Sequence, residues 1–187
     1  RKKAIMNRLA YEKAKESVEQ GHQVMIFVHS RQGTVKTAQV LMEIAREKGT
    51  TALFQVDDDC TARYNLLLKE VAKSRNRELK ELFAGGFGMH HAGMLRADRN
   101  LVEKLFAEGY IRVLCCTATL AWGVNLPAHT VVIKGTDLYD SKKSAFVELG
   151  MLDVMQIFGR AGRPQFDTSG EGIIITSHEQ LPRYLSL

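Results

Sequence analysis

Short apolar runs alternate along the chain with segments in which apolar residues recur at helical spacing. The first run, QVMIFVH (23–29), is nearly continuous in apolar, β-branched and aromatic residues, which is typical of a strand buried on both faces. Later runs of the same character are GFGMHH (86–91), IRVLCCT (111–117), HTVVIK (129–134) and GIIIT (172–176). The alternation predicts an α/β fold, a doubly wound and mainly parallel sheet of roughly five or six strands with helices on both faces.

Segments between these runs are typical of amphipathic helices. In the first, Gly49 follows a series of apolar residues at helical spacing, namely Val35, Ala38, Leu41, Met42 and Ala45. The second, DRNLVEKLFAEG (98–109), predicts a helix that ends at Gly109 and turns inward Leu101, Val102, Leu105 and Phe106. We also expect a helix in the charged N-terminal segment (1–22) and another around MLDVMQIFGR (151–160).

Two further stretches give weaker patterns. TALFQV (51–56) favours an additional strand, whereas 57–83 mixes acidic, basic and apolar residues in a helical pattern and predicts a helical insertion or cover. Between Lys134 and Gly150, two short arms of alternating apolar residues flank a polar DSKKS centre. This segment (134–150) predicts an inserted β-hairpin, although it lacks the Asn-Gly or Asp-Gly turn of the strongest hairpin signals.

Composition and charge fit one globular domain. The chain has 187 residues, 45% of them hydrophobic, which is enough to bury a sizeable core. A net charge of +5 weakly favours a polyanionic partner. The N-terminal segment lacks the apolar block of a signal peptide and no apolar run is long enough to cross a bilayer, so we expect a soluble, intracellular protein without a membrane partner.

The cysteines and histidines give little sign of a metal site. Cys60, Cys115 and Cys116 are an odd number, and we expect them to be buried, reduced thiols. Zinc would need a second pair of ligands at suitable spacing, and only His90 and His91 offer one. We therefore predict no bound metal ion within this chain.

The segment QIFGRAGRP (156–164) carries the most informative chemistry. Arg160 and Arg163 are three residues apart beside glycines that allow close approach of a ligand. Two converging guanidinium groups can stabilise the negative charge that is redistributed during phosphoryl transfer. The plain alternative is a solvated basic turn at the end of a helix.

Polar residues follow several of the predicted strands, where open α/β sheets place their ligand loops. These residues are Ser30 and Arg31 in FVHSR, His91 and Gly93 in HHAGM, and Thr117, Thr119, Gly123 and Asn125 in TATLAWGVNLPA. Hydroxyl and guanidinium groups are suited to phosphate contacts. The alternatives are a neutral, packed histidine pair and an ordinary turn anchored by Trp122. Because all these strand ends carry such residues, ligand binding is the preferred interpretation.

These four motifs occur in the order found in superfamily 2 DExH-box helicases, and the chain resembles the second RecA-like domain of that family. The stretches TLAWGVNLPAHTVVIKGT and QIFGRAGRPQFD look like those of the large two-cassette members, and of the N-terminal cassette more than the C-terminal one. Similarity extends from about Gln23 to Leu187 and is weakest across 50–82. The resemblance implies that 1–22 leads in from a first RecA-like domain and that 23–187 is the second.

The resemblance also implies roles for individual residues. Arg160 and Arg163 would be arginine fingers, and the ATP site would include them together with Gly123, Asn125 and Gln156. The translocated strand would pass Ser30, Arg31, His91, Gly93, Thr117 and Thr119. The hairpin at 134–150 would separate the duplex, with Tyr139 or Phe146 stacking on the last base pair.

Cofactors and partners follow from the same resemblance. The chain contains neither GxxxxGK followed by Ser or Thr nor an Asp-Glu pair, so ATP and Mg²⁺ would be held mainly by the first RecA-like domain, and this chain alone would not hydrolyse ATP. Expected partners are single-stranded or 3′-tailed DNA or RNA, the first RecA-like, winged-helix and ratchet domains of the same protein, and subunits of a cointegrator-type complex.

The expected activity is ATP-dependent unwinding with 3′-to-5′ polarity, and the expected location is the nucleus, with the cytoplasm as an alternative. Alkylation-damage DNA repair, transcription regulation through coactivation, and clearance of stalled ribosomes all stay open as pathways. Two other functions stay open as well. One is a degenerate helicase cassette that serves as a protein-interaction scaffold, and the other is a nucleic-acid-binding domain without ATPase activity.

Overall fold

The computed structural model describes residues 2–56, 61–117, 128–134, 137–140, 145–148 and 171–175. Its helices are α1 (Lys2–Glu19), α2 (Arg31–Glu47), α3 (Thr51–Phe54), α4 (Ala62–Lys73), α5 (Arg77–Ala84) and α6 (Arg96–Ala107). Its strands are β1 (Val24–Val28), β2 (Phe87–His90), β3 (Val113–Thr117), β4 (Thr130–Lys134), β5 (Asp137–Asp140), β6 (Ala145–Glu148) and β7 (Glu171–Ile175). No helix in the described ranges combines the length and apolar character needed to span a membrane.

Five strands form one parallel sheet in the order β2-β3-β1-β4-β7, which confirms the predicted fold class. The chain moves from β1 to β2 in one direction across the sheet and from β2 back to β3 in the other. Because crossovers between parallel strands are right-handed, this reversal places α2 and α6 on opposite faces. The central strand β1 is buried along its whole length, as its continuous apolar sequence predicts.

The predicted helical faces are confirmed. On α2, Ala38, Leu41 and Ala45 are fully or almost fully buried, and on α6 the same holds for Leu101, Val102, Leu105 and Phe106. Gly49 and Gly109 follow these helices with φ of +69° and +84°, a backbone conformation that favours glycine. The helical pattern predicted within 57–83 is confirmed over the described part by α4 and α5.

The strand prediction for TALFQV is wrong, because residues 51–54 form the short helix α3. Phe54 is completely buried in the core, where its ring lies 5.2 Å from that of Phe87 and 6.1 Å from that of Tyr11. Leu53 beside it is 37% exposed. A buried residue next to an exposed one occurs both in a strand and in a turn of helix. A run of six residues is therefore too short to show whether its apolar positions repeat with the period of a strand or of a helix.

Cys115 and Cys116 are neighbours on β3, and both are buried free thiols, as expected. Burial raises the pKa of Cys115 to about 12, although the positive charge of Lys134 opposes the rise. Burial, with the adjacent Cys115, also raises the pKa of Cys116 well above its ordinary value. Both thiols therefore stay protonated and unreactive. Cys60 lies outside the described residues, and within them no three metal-ligating side chains come together.

The predicted hairpin is present as the antiparallel pair β5 and β6. Its register places Tyr139 opposite Phe146, so the two aromatic residues singled out in the sequence are direct cross-strand partners. The helix expected around 151–160 lies outside the described residues.

Candidate functional site

The carboxyl ends of the parallel strands meet at one edge of the sheet. Here β1 and β3 are neighbours, yet the chain continues from β1 to β2 on one side and from β3 to β4 on the other. Such a divergence is a topological switch point, where open α/β sheets bind their ligands. A cleft of about 800 Å³ lies at this point, between the ends of β1, β3 and β4, the first turns of α2 and one residue of α1.

Ser30 begins α2 at the rim of the cleft. It has extended backbone angles, and its Oγ accepts a hydrogen bond of 2.9 Å from the backbone N–H of Gly33, which makes it the N-cap of the helix. The hydroxyl hydrogen is not used in this bond and is free to be donated to an acceptor in the cleft. A side chain at position 33 would press on the cap, since a Cβ there would lie 2.7 Å from Ser30 Oγ.

Arg31, His91 and Gly93 come together although they belong to different motifs. A Cβ at Gly93 would lie 3.1 Å from Nδ1 of His91 and 3.3 Å from Cδ of Arg31, so the glycine leaves just enough room for both side chains. The backbone N–H of Gly93 donates a hydrogen bond of 3.1 Å to Nδ1 of His91. The fold therefore brings these three residues together at one edge of the sheet, whereas their predicted role in binding stays a prediction.

The two histidines of HHAGM differ in environment. His90 is 6% exposed, and its Nε2 lies 2.7 Å from a carboxylate oxygen of Glu103 on α6, so it serves the packing of the helix. His91 is half-buried; burial lowers its pKa below the ordinary value, and the charges of Arg31, His90 and Arg99 lower it further. Since Nδ1 of His91 accepts a bond from the backbone, the neutral ring carries its hydrogen on Nε2 and can donate it to a phosphate.

The pKa of His91 should rise in the variant Arg31→Gln, because one positive charge beside the ring is removed. It should stay below the ordinary histidine value, since burial is the largest cause of the shift. Because the pKa is lowered, the folded chain favours the neutral ring, and this contribution to stability is fully present above the ordinary histidine pKa. It is lost as the pH falls through the lower pKa of His91 in the folded chain. Histidine NMR titration measures the value, and an unchanged His91 pKa in the variant would show that the two side chains are farther apart than described.

Thr117 lies at the end of β3, directly opposite Val28 of β1 in the parallel register. It lines the cleft together with Ser30 and Arg31. Thr119 lies outside the described residues.

The cleft also contains residues that sequence reasoning did not single out. Lys134 at the end of β4 donates a hydrogen bond of 3.3 Å to Thr37 on α2, and Lys36 precedes that threonine at the rim. Asn7 of α1 lines the cleft too, and within the described part of the chain its buried Oδ1 has no hydrogen-bond partner. The position of Lys134 at the end of an apolar strand could have been recognised in the sequence. No sequence pattern indicated that Asn7 would reach the cleft.

The charge of the cleft is positive. Arg31, Lys36 and Lys134 line it, and none of the described lining residues is acidic. Hydroxyl groups of Ser30 and Thr117 add neutral hydrogen-bonding groups between these cations. Cations spaced along a groove with hydroxyls between them are suited to the phosphates of a polyanionic backbone.

The other predicted site residues cannot be placed. Those expected at the nucleotide lie outside the described residues, namely Gly123, Asn125, Gln156, Arg160 and Arg163. Tyr139 and Phe146 are described as backbone partners in the hairpin. Their predicted roles stay predictions.

Comparison with known proteins places the chain in a family. The sequence pattern described as "Helicase conserved C-terminal domain" matches residues 68–165. The chain is 61% identical over 98% of its length to the "DExH-box ATP-dependent RNA helicase DExH14" of Arabidopsis thaliana, and spans 8% of that protein. It is 60% and 57% identical over 97% of its length to "Activating signal cointegrator 1 complex subunit 3" of Mus musculus and Danio rerio, and spans 8% and 12% of them.

The matched residues include β2, the histidine pair at its end, β3 and the GRAGR segment. The parallel sheet agrees with the α/β fold expected of such a domain. Because the chain spans a small part of its relatives, the comparison bears on this domain and not on the rest of those proteins. On these grounds the chain belongs to the helicase conserved C-terminal domain family.

Proposed function

We propose that this chain is the second motor domain of an ATP-dependent nucleic-acid helicase with 3′-to-5′ polarity. In this role it holds the phosphate backbone of the translocated strand at the switch-point cleft and supplies arginine fingers to ATP. The observation that carries the proposal is the convergence of Arg31, His91 and Gly93 with Ser30 and Thr117 on one positively charged edge of a helicase-family domain.

The cleft supports strand binding through its donors. Ser30, Arg31 and the Nε2 of His91 all offer hydrogen to an anion, and none of these donors distinguishes one base from another. Gly93 has no side chain to displace Arg31 or His91, so the two can stay side by side. This arrangement is suited to a motor that must move along any sequence.

The ATP site is proposed to form between this domain and a first RecA-like domain that holds Mg²⁺ and the β- and γ-phosphates. Arg160 and Arg163 would reach the γ-phosphate across the cleft between the domains, near Gly123, Asn125 and Gln156. Closure on ATP and reopening after hydrolysis would then shift the grip on the strand, since the same domain binds both. The chemistry of two guanidinium groups three residues apart in sequence supports this assignment.

The hairpin of β5 and β6 is proposed to separate the duplex. β5 begins three residues after β4 ends, so the hairpin starts within about 11 Å of the cleft. The cross-strand pair Tyr139 and Phe146 supplies aromatic rings that can stack on a terminal base pair of any sequence.

The names of the relatives support further proposals about the complete protein. An RNA substrate is favoured by the Arabidopsis relative, and membership of a cointegrator-type complex by the mouse and zebrafish relatives. We propose the nucleus as its location and the winged-helix and ratchet domains as its neighbours within the same protein.

Replacing Arg31 with glutamine in the complete protein should weaken binding of single-stranded nucleic acid roughly tenfold, because a charge-assisted phosphate contact is lost. The slope of log affinity against log salt should fall by about 0.7 if one phosphate contact disappears. Fluorescence anisotropy at several salt concentrations measures both, and Arg46→Gln, which removes an exposed arginine from the far end of α2, is the matched control.

Unwinding of matched DNA and RNA duplexes with 3′ tails then tests the activity. ATP-driven unwinding that Arg31→Gln slows supports the proposal. An affinity and salt slope equal to those of the unmodified protein would show that the strand does not pass Arg31. If the unmodified protein binds nucleic acid but does not hydrolyse ATP, the alternative of a nucleic-acid-binding domain without ATPase activity is favoured. If it neither binds nucleic acid nor hydrolyses ATP, the alternative of a protein-interaction scaffold is favoured.

A further inference from the structure

Four arginines lie beyond the edge strand β2, outside the cleft. Arg75 and Arg77 belong to the connection between α4 and α5 and to the first turn of α5, and Arg96 and Arg99 to the first turn of α6. We call Arg75, Arg77, Arg96 and Arg99 the arginine ridge. The two pairs are 19 or more residues apart in sequence, so only the folded chain brings them together.

A hydrogen bond joins the two segments of the ridge. The hydroxyl of Ser74 donates to Oδ1 of Asp98 over 2.8 Å, and Asp98 is only 7% exposed. Ser74 Oγ also accepts a bond of 3.1 Å from the backbone N–H of Asn76. The loop that carries Arg75 is therefore held against the first turn of α6 by a partly buried network.

The positive charge of the ridge is not neutralised locally. Arg75, Arg77 and Arg96 are exposed and Arg99 is half-buried, and across the residues described here none of the four takes part in an ion pair. Two carboxylates accompany the four arginines, Glu78 in the first turn of α5 and Asp98 in the first turn of α6, and neither is ion-paired with them in the described residues. The four guanidinium groups outnumber these two carboxylates, so the surface keeps a positive charge that attracts a polyanion.

The ridge is continuous with the candidate strand path. Arg96, at the start of α6, comes only five residues after His91, which itself follows β2, so the ridge begins directly after the histidine loop. The charges of Arg31 and Arg99 both lower the pKa of His91, in agreement with this short separation. The sheet order places β2 at one edge and β4, from which the hairpin follows, on the other side of β1. Because α5 and α6 both pack against β2, the ridge lies on the β2 side of the cleft.

We propose that the arginine ridge is a second binding site for the nucleic-acid backbone, which extends the contact from the cleft toward the β2 edge of the sheet. This inference rests on the proposed function, because it assigns further residues to the same bound strand. Phosphates several nucleotides from those at Ser30 and Arg31 are the ligands. The ridge lengthens the footprint of the domain and keeps a strand attached while the cleft changes its grip.

A nucleic acid fits this surface better than an acidic protein does. The ridge adjoins residues that already form a row of phosphate donors, and Leu95 between them is 70% exposed, so an apolar side chain can pack on a ribose or base. The arginines come from two segments that a hydrogen bond holds together, so they present one shared cationic surface to a phosphate backbone.

The test uses the complete protein with Arg75→Gln and Arg77→Gln combined. Binding of single strands from about 4 to about 16 nucleotides is measured by anisotropy at several salt concentrations. For the longest strand we expect roughly tenfold weaker affinity and a salt slope lower by about 1.4, the value for two phosphates. For the shortest strand, which the cleft alone can hold, we expect no change.

The matched control is Arg46→Gln combined with Arg63→Gln. It removes the same charge from two exposed ion pairs, with Glu43 and Glu108, near the C-terminal ends of α2 and α6, and should leave affinity at every length unchanged. Melting temperatures of both variants show that the fold persists. A 3′-tailed duplex of equal strand length distinguishes contact with the single strand from contact with the duplex.

An equal affinity of the ridge variant and the unmodified protein for the longest strand would overturn the proposal. So would an equal loss at every length, which would mean that the ridge acts only through the cleft. Failure of the proposed function gives a different result, because the unmodified protein would then bind no strand at all. Retained strand binding together with loss of an acidic protein partner would assign the ridge to that partner instead.

Discussion

ATPase turnover should fall by about 10³-fold or more when Arg160 or Arg163 is replaced with alanine in the complete protein. An arginine finger stabilises charge that develops as the γ-phosphate is transferred, so its loss affects the chemical step more than ATP binding. Steady-state turnover in the presence of saturating nucleic acid, with nucleotide affinity measured separately, provides the test. Lysine at either position should restore little, because an ammonium group cannot make the planar bidentate contact.

The control for this experiment is Arg46→Ala, which removes an exposed arginine near the end of α2. It should leave turnover unchanged. A turnover number that is the same in the Arg160 and Arg163 variants as in the unmodified protein would contradict the arginine-finger role. The proposal that this domain contributes to ATP hydrolysis would then be wrong. The proposed strand contacts at the cleft would be unaffected, because the Arg31→Gln experiment tests them separately.

Gly86→Ala should destabilise the domain by more than about 3 kcal/mol. Gly86 has a φ of +85°, and a Cβ there would lie 1.7 Å from the backbone oxygen of Phe54. That oxygen belongs to the end of α3 and cannot rotate away as a side chain would. The Gly86 carbonyl also accepts from the N–H of Arg112 over 2.8 Å, so moving the glycine disturbs the start of β3 as well. Urea unfolding followed by circular dichroism measures the loss.

Gly49→Ala separates the cost of backbone angle from the cost of the clash. Gly49 also has a positive φ, +69°, but a Cβ there would have no heavy atom within 4 Å. The variant should therefore lose only about 1 kcal/mol. Equal effects of the two substitutions would show that α3 does not approach Gly86 as closely as described.

The strands at the centre of the sheet could be predicted because their environment leaves little choice. A strand buried on both faces must be apolar at every position, and β1 and β3 have such sequences. The hairpin could be predicted from alternation in its two arms, even without a favoured turn pair. TALFQV failed because its single buried ring, Phe54, is compatible with a strand or with one turn of helix.

The candidate site could be predicted in part for a related reason. Parallel strands end at a common edge, so polar residues after each strand are expected to meet there, and Arg31, His91 and Gly93 do. Asn7 escaped prediction because it comes from a helix before the first strand. No local pattern in α1 reports which strand end that helix reaches.

Local patterning was thus sufficient for the type of each central strand and for several of the polar residues at the strand ends, because burial and hydrogen-bonding capacity are properties of short segments. Strand order, the meeting of Arg31 with His91, and the docking of the Ser74 loop on α6 depend on packing between segments far apart in sequence. Hydrophobic period contains no information about such pairings, since many arrangements bury the same apolar faces. The cleft and the arginine ridge accordingly became visible in the folded chain.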